Sequence, residues 1–346
     1  MIPVENIYFM LSYAFSILKE TRYEKVLAEE CDNATELCAA ILEKGIVYQI
    51  KRGIERGYVQ KTASLVTPKG KIEVSQSIRT MAHVKKQIVC SYDEFAADTY
   101  MNRIIKSTVF LLLRSDISLD RKKSLRSLMK YFTDVELLDI RRINWHLNYN
   151  RNNQSYKMLI GICYLIVHGL LQTEQTGTIP LMGFETPVFH QLYERFVYEY
   201  FRQEFPMLSV SKPQIKWQLD NDFDALLPKM KTDIVLSYGE KTLIIDTKAY
   251  DRVLQSSYGT DTIRSEHLYQ IFAYVKNKEY ELRDESHEVS GMLLYAQTDD
   301  GIALDNTYCM SGNRISVRTL DLNCHHTEIA RQLNEIVKVF FCIEYL

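Results

Sequence analysis

The feature that most constrains the fold of this 346-residue chain is a pair of hydrophobic β-type segments joined by a two-residue turn. They occupy residues 230–250, which read MKTDIVLSYGEKTLIIDTKAY. Gly239-Glu240 predicts a tight turn with glycine at its first central position, as type II′ turns favour. Tyr238 then pairs with Lys241, and the sequence predicts an antiparallel hairpin of fixed register.

This register brings three charged side chains together. Asp233 faces Asp246, and the Cβ atoms of directly opposed residues lie about 4.5–5.5 Å apart, so the two charges destabilise the sheet unless something neutralises them. Lys248 projects from the same face as Asp246 because side chains alternate along a strand. Two carboxylates backed by the apolar run 243–245 form the oxygen site that Mg²⁺ prefers. With an ammonium beside them, they suit metal-dependent phosphodiester hydrolysis.

The D-x-K pattern is weak by itself, because Asp120-Arg121-Lys122 matches it in a charged segment that is typical of a solvated helix end. The pair Asp246 and Lys248 has an equally simple alternative, a surface ion pair at the end of an edge strand. Its context favours a site: it ends a strongly β-type run, has an acid as its predicted partner, and precedes a helix with Gln270 and Tyr274.

The length predicts two domains in an α/β protein. Residues 1–175 read as a mainly helical domain with a β-rich insert at about 53–92, and small polar residues at 172–185 mark the boundary. Residues 176–346 follow the order α-β-β-β-α-β, with a strand near 214–219. A meander rejoined through a crossover helix predicts a mixed sheet flanked by helices.

Charge and composition narrow the function classes. The net charge of −2 conceals a basic region. Residues 51–90 carry nine Lys or Arg, at 51, 52, 56, 61, 69, 71, 79, 85 and 86. Such a region could bind nucleic acid, bind an acidic protein partner, or simply be a solvated basic surface. The N-terminal segment lacks a basic leader, and no apolar run reaches the roughly 20 residues needed to cross a bilayer. Together these features predict a cytoplasmic protein that is not inserted in a membrane.

The cysteines predict neither disulfides nor a zinc site. Their number, seven, is odd, and none forms a CxxC pair. Cys324-His325-His326 is the one cluster that suggests a metal. Three adjacent ligands do not converge easily on one ion, so we expect a surface turn before the last helix.

The segments TDIVL, LIIDTKAY and LYQIFAY together resemble the core of PD-(D/E)xK nucleases, with the Q-x-x-x-Y helix of their RecB-like branch. More closely, the chain resembles the McrC family, the nuclease subunits of McrBC 5-methylcytosine-dependent restriction systems. Further matching segments are IPVENIYFMLSYAF, KGKIEVSQSIR, DTYMNRIIKST and LYERFVYEYFR. Thr232 departs from the proline of the core motif and leaves Asp233 in place.

The resemblance implies a C-terminal PD-(D/E)xK core and a role for each matching residue. Asp233 and Asp246 would bind Mg²⁺, with Mn²⁺ as a substitute, and the backbone carbonyl of Thr247 would be a third ligand. Lys248 would act on the attacking water.

For two further pairs of residues, alternative roles remain open. Gln270 and Tyr274 would line the site or contact DNA, unless their helix merely packs its apolar residues on the core and leaves Gln270 exposed. Glu194 or Glu199 could add an acid, although helical glutamates more often face solvent.

The resemblance also implies a partner, a hexamer of a McrB-like AAA+ GTPase that recognises methylated cytosine. The chain has no G-x-x-x-x-G-K-[ST] loop and therefore is not the GTPase. It would cleave DNA within the complex and stimulate GTP hydrolysis, with the N-terminal half docking on the partner. The alternatives are a catalytically inactive assembly module and a DNA-binding protein without catalysis; no helix-turn-helix or zinc-finger signature supports the latter.

Overall fold

The computed structural model describes residues 2–19, 23, 31, 33–151, 153–176, 187–221, 223–249, 254–257, 260–297 and 302–343. The chain divides into two compact units. One is Thr35–Thr176, and the other combines Met1–Ala34 with Gly177–Leu346. Among the described segments, no helix is long and apolar enough to cross a membrane.

The regular elements are as follows. The helices are α1 (Val4–Ala14), α2 (Ala34–Arg52), α3 (Val74–Arg79), α4 (Tyr100–Leu112), α5 (Leu119–Leu128), α6 (Tyr156–Thr176), α7 (Pro187–Glu204), α8 (Ser265–Glu281) and α9 (His326–Phe341). The strands are β1 (Gly57–Leu65), β2 (Lys71–Ile72), β3 (Ile88–Ala96), β4 (Ser209–Ser211), β5 (Gln214–Ile215), β6 (Met230–Lys231), β7 (Ile234–Tyr238), β8 (Lys241–Lys248), β9 (Leu254–Ser257), β10 (Thr260–Ile263), β11 (Glu288–Ala296), β12 (Asp305–Met310) and β13 (Asn313–Leu320).

The unit Thr35–Thr176 is mainly helical and contains a three-stranded antiparallel sheet at the predicted β-rich insert, in the order β1-β3-β2. The first D-x-K match lies in the first turn of α5. There Asp120 is exposed, and Arg121 forms ion pairs with Glu36 at 3.2 Å and Glu43 at 2.5 Å. This occurrence therefore lies at a helix terminus, as the sequence predicts, but its Arg121 is largely buried in ion pairs and is not solvated.

The larger unit is built on a six-stranded mixed sheet in the order β12-β13-β11-β8-β7-β4. Strands β7 and β8 pair antiparallel, whereas β8 and β11 pair parallel. Helix α8 lies between these two parallel strands in the chain, as a parallel connection requires. The prediction of a mixed sheet with helices is confirmed.

The strand expected at 214–219 differs from the prediction. Only Gln214–Ile215 is a strand, and it pairs with β6 in a separate two-stranded sheet, while β4 joins the main sheet. Pro213 separates β4 from β5, because proline has no N–H to donate to a ladder. Its carbonyl instead accepts a hydrogen bond from the Thr232 hydroxyl at 2.8 Å.

The first 34 residues differ from the predicted 1–175 domain, since they group with the C-terminal residues. Helix α1 packs an aromatic face on α7. The ring centroids of Phe9 and Phe196 are 5.5 Å apart, and those of Tyr13 and Tyr200 are 5.0 Å apart. The Asn6 amide also donates to the carbonyl of Cys324 at 2.7 Å. Helical periodicity predicts α1 but does not identify the surface it covers.

The Cys324-His325-His326 cluster lies at the start of the last helix. His325 is the N-cap of α9, and its side chain accepts a hydrogen bond from the Thr327 N–H. The turn predicted before this helix is confirmed.

Close packing of α8 on β11 determines where the helix lies over the sheet. Gly291 of β11 faces Ile271 and Val275 of α8. A Cβ atom at Gly291 would lie 2.8 Å from a carbon of each of these side chains and 3.0 Å from Ile315. Glycine therefore allows the helix to approach the strand this closely.

We expect Gly291→Ala to lower the free energy of unfolding by about 1–3 kcal/mol, because the added methyl overpacks this contact. Gly57→Ala is the control: it is also a strand glycine, and the nearest atom to its Cβ would be 3.4 Å away, an ordinary contact. Urea unfolding measures both variants. Equal stability of Gly291→Ala and the unsubstituted protein would contradict the packing argument.

Candidate active site

The catalytic candidates lie at the open end of the β7–β8 hairpin, and its predicted register is confirmed. Tyr238 pairs with Lys241, and Ile234 pairs with Ile245. Gly239 has φ +57°, and Glu240 is not among the residues with positive φ, as a type II′ turn requires. The turn residues therefore determine which side chains meet at the other end.

Asp233 leaves the ladder at the first position beyond the last backbone pair. Its Oδ2 accepts two hydrogen bonds from Thr247, one from the N–H and one from the hydroxyl, both at 2.8 Å. The carboxylate thus takes the place of a backbone acceptor for the Thr247 N–H just beyond the paired residues. A regular continuation of the register would place Asp233 directly opposite Asp246. Because a strand residue directs its N–H and C=O to the same neighbour, the Thr247 carbonyl lies on the Asp233 side of β8.

Asp246 is a nearly inaccessible carboxylate, with 1% of its surface exposed. Its Oδ2 lies 2.6 Å from the ammonium of Lys248, although this contact lacks hydrogen-bond directionality, and Oδ2 has no other partner among the described residues. Burial raises the pKa of Asp246 to about 6, against the attraction of Lys248, and the charge of Asp233 raises it further. Removal from water thus outweighs the ion pair.

A chain of hydrogen bonds extends from Lys248 along α8. The ammonium donates to Oε1 of Gln270 at 3.0 Å, and the Gln270 amide donates to the Tyr274 hydroxyl at 2.9 Å. That hydroxyl donates to the carbonyl of Lys231 at 3.0 Å. Gln270 therefore contacts the lysine and is not merely an exposed helical residue. These hydrogen bonds restrain the ammonium by a contact separate from the one with Asp246.

Two histidines that the sequence analysis missed lie near Lys248. His267, on α8, is buried, and its Nδ1 is 2.7 Å from the hydroxyl of Tyr295, the β11 residue paired with Lys248. Its spacing of three and seven residues from Gln270 and Tyr274 places it on their helix face, a signal that could have identified it. Burial lowers the pKa of His267 to about 4, with further lowering by Lys248 and Arg264.

The second histidine, His190, is on α7 and hydrogen-bonds the backbone of Ala249; burial is the main cause of its lowered pKa. Of the two glutamates considered on the same helix, Glu194 raises the pKa of Asp246 by its charge and forms an ion pair with Lys212 at 2.5 Å. Glu199 instead pairs with Arg202 at 2.6 Å. Glu194 is therefore the glutamate with an electrostatic influence on the site.

The donor set is of the oxygen type. In the part of the chain that the structure describes, no three His, Cys, Asp or Glu residues form a cluster for a metal ion. A hard cation such as Mg²⁺ needs only one or two carboxylates, because water and substrate phosphate complete its coordination. Two oxygens fit that requirement. One is Oδ2 of Asp246, which has an ammonium beside it but no hydrogen-bond partner among the described residues, and the other is Oδ1 of Asp233, which has no hydrogen bond to a described residue.

The raised pKa of Asp246 predicts a pH-dependent stability. An acid whose pKa rises from 3.8 to about 6 on folding binds more protons in the folded chain, so its contribution to stability falls as the pH rises through this window. His267 acts oppositely, since its lowered pKa makes stability fall as the pH drops from 6.5 to about 4. We expect Asp246→Asn to remove only the first effect.

The measurement is urea unfolding of both proteins in EDTA at several pH values. The stability of Asp246→Asn relative to the unsubstituted protein should increase by up to about 3 kcal/mol between pH 4 and 7, as a pKa difference of about two units implies. A stability difference that does not vary with pH would show that the pKa of Asp246 is not raised.

Two comparisons with known protein sequences match McrBC proteins over most of the chain. A family model described as McrBC 5-methylcytosine restriction system component matches residues 5–296. The Type IV methyl-directed restriction enzyme EcoKMcrBC of Escherichia coli (strain K12) is 30% identical over 349 residues, 97% of this chain and 99% of that protein.

Two solved structures from Thermococcus gammatolerans are similar. A half-complex of McrB AAA+ hexamers with bound McrC has a TM-score of 0.50 and 18% identity, covering 96% of this chain and 76% of that one. A structure of the McrBC complex has a TM-score of 0.38 and 19% identity, with 58% of each chain covered. From the family match and the long alignment to the Escherichia coli protein, this chain belongs to the family of McrBC 5-methylcytosine restriction system components.

Proposed function

We propose that this chain is the Mg²⁺-dependent endonuclease subunit of a methylcytosine-dependent restriction complex, with a PD-(D/E)xK core. One observation carries the proposal: Asp233, Asp246 and Lys248 meet at the end of the β7–β8 hairpin, where a buried carboxylate oxygen has only an ammonium beside it. Burying a carboxylate in this way is costly unless the charge is paired, hydrogen-bonded or coordinated to a metal ion. Family membership supports the same function.

Asp233, Asp246 and the carbonyl of Thr247 would hold the metal ion, and Mn²⁺ would substitute for Mg²⁺. The bound ion supplies charge neutralisation at the scissile phosphate and lowers the pKa of a coordinated water. The two hydrogen bonds from Thr247 fix the orientation of the Asp233 carboxylate and leave its Oδ1 for this role. Because the pKa of Asp246 is about 6, the carboxylate is mostly ionised at neutral pH.

Lys248 would orient the attacking water and stabilise the developing negative charge. An ammonium has three N–H donors. One N–H is donated to Gln270, and the contact with Asp246 is an ion pair without a directed hydrogen bond, so donors remain for water or phosphate. Tyr274 acts indirectly, since it holds the Gln270 amide in the orientation that accepts from Lys248. Such fixed dipoles need little rearrangement during the reaction.

The partner would be a hexamer of a McrB-like AAA+ GTPase, which recognises the methylated DNA and whose GTP hydrolysis this chain stimulates. Family membership supports it, as does the absence of a G-x-x-x-x-G-K-[ST] loop in this sequence. The β-rich insert is the candidate docking element. Its residues Val74, Ile78, Met81 and Val84 are 61–71% exposed. Exposed apolar residues beside basic ones suit a protein interface better than a DNA backbone.

We expect Lys248→Ala to reduce DNA cleavage at least about 100-fold, because it removes the ammonium that acts on the water and phosphate. Cleavage of a methylated plasmid is measured with the partner and GTP, together with co-elution of the two proteins, which should persist. Lys241→Ala, at the opposite end of β8, is the matched control. Undiminished cutting by Lys248→Ala would exclude the lysine from the mechanism and favour an inactive assembly module.

We expect Lys69→Glu/Lys71→Glu and Val74→Ser/Ile78→Ser each to weaken partner association and GTPase stimulation if the insert docks on the partner. If the insert instead binds DNA, only the charge reversal should have an effect. It should lower the DNA affinity and reduce the slope of log K against log salt concentration by about 0.9 per lost phosphate contact. The control is Lys123→Glu/Arg126→Glu, exposed on α5 of the same unit. Normal GTPase stimulation with reduced DNA affinity would identify a DNA clamp.

A further inference from the structure

A small antiparallel sheet, here called the basic ribbon, immediately precedes Asp233. It consists of β5 and β6 with the flanking residues Lys216 and Lys229. In its register, Gln214 pairs with Lys231 and Ile215 pairs with Met230. One residue further along, the same register places Lys216 opposite Lys229.

The two faces of the basic ribbon have different environments. Ile215 and Met230 are 2% and 4% exposed and pack in the core with Val235 and Ile271. The alternate residues Lys216, Lys229 and Lys231 are all exposed. The inner face therefore anchors the ribbon to the sheet and α8, while the outer face presents three positive charges.

No direct ion pair neutralises this charge within the part of the chain that the structure describes. None of the three lysines forms an ion pair with a described acid, whereas nearby Lys212 pairs with Glu194. Like charges directly opposite on a sheet destabilise it. The acids Asp220 and Asp224 lie between Lys216 and Lys229 in the chain, in the loop that connects β5 to β6, and neither forms an ion pair with these lysines. A bound anion would therefore relieve the repulsion between Lys216 and Lys229, which face each other at the loop end of the ribbon.

The outer face is joined directly to the catalytic candidates. Lys231 lies two residues before Asp233, and its carbonyl accepts the hydrogen bond from Tyr274. Through Gln270 that tyrosine is connected to Lys248. A polyanion on Lys229 and Lys231 would consequently pass beside the site where a phosphodiester is cut.

We propose that the outer face of the basic ribbon binds the phosphate backbone of duplex DNA next to the scissile bond. This inference rests on the proposed nuclease function and adds the surface that holds its substrate. The charge is complementary to a phosphate backbone, and phosphate contacts position a protein on DNA without reading its sequence. The ribbon therefore contributes affinity and register, and the choice of methylated sites is left to the partner.

The test uses the full chain and a fluorescent duplex of about 30 base pairs in EDTA, so that binding is measured without cleavage over a series of salt concentrations. Lys216→Glu/Lys229→Glu should lower the affinity at least about tenfold and reduce the salt slope by about 1.8, for two lost phosphate contacts. Lys216→Gln/Lys229→Gln should lower the affinity less, in the same direction. The control Lys241→Glu/Lys338→Glu, which carries the same change of charge in the same unit, should bind as the unsubstituted chain does.

Several outcomes would overturn the inference: unchanged binding by the ribbon variant, an equal loss in the control, or no duplex binding by the unsubstituted chain. Loss of partner co-elution with normal DNA affinity would instead assign the ribbon to an acidic protein surface and would also overturn it. Lys216, Lys229 and Lys338 are exposed and Lys241 is partly exposed, so circular dichroism of the ribbon variant and of the control should show an unchanged fold.

Cleavage assays with the partner, GTP and Mg²⁺ separate this inference from the proposed nuclease function. If only the ribbon assignment fails, the ribbon variant cuts DNA at the normal rate. If the nuclease proposal fails, neither the unsubstituted chain nor any variant cuts DNA, although the ribbon variant still loses affinity in EDTA.

Discussion

The burial of the Asp246 carboxylate is the constraint on which the candidate site depends. A buried carboxylate loses the solvation of water, and a single ammonium at 2.6 Å does not replace it, so the pKa of Asp246 remains raised. The surrounding structure must therefore hold Lys248 in place. The Gln270–Tyr274 chain, which ends on the backbone of Lys231, supplies that restraint through α8. A charge arrangement that is unfavourable by itself is maintained by neutral neighbours whose positions the fold determines.

The position of β8 between β7 and β11 explains how the sheet maintains this arrangement. Ile244, Asp246 and Lys248 alternate onto one face, and Ile244 packs in the same core as Ile271 and Val275 of α8. Gly291 allows that helix to approach closely, so its hydrogen-bonding residues reach the end of the strand. On the other side, Asp233 satisfies the Thr247 N–H that β7 no longer pairs. Apolar packing thus determines the geometry of the polar groups.

Much of the hairpin could be predicted from sequence, because Gly239 determines the turn and strand alternation then determines the register. The bend at Asp233 could not be predicted in this way: pairing rules describe regular ladders, and here a carboxylate competes with the backbone for one N–H. The position of His267 on the helix face of Gln270 and Tyr274 could have been predicted from helical spacing. That of His190 could not, since this residue comes from α7, more than 40 residues before Asp233. The location of α1 and the separate β5–β6 pairing likewise depend on contacts between segments that are distant in sequence.

The two electrostatic deficits of the larger unit have opposite signs and lie next to each other in the chain. At the hairpin end, Asp233 and Asp246 face one ammonium, so an excess negative charge is left and one buried oxygen has no hydrogen-bond partner. On the basic ribbon, Lys216 and Lys229 face each other, and neither forms an ion pair with a described acid. A cation would relieve the first deficit and an anion the second. A divalent ion with a phosphodiester strand, the ligands that we propose, would provide both charges in the required order. The electrostatics that are unfavourable in the isolated chain would then become complementary on binding. Each ligand would then strengthen the binding of the other, because a coupling free energy between two sites is reciprocal.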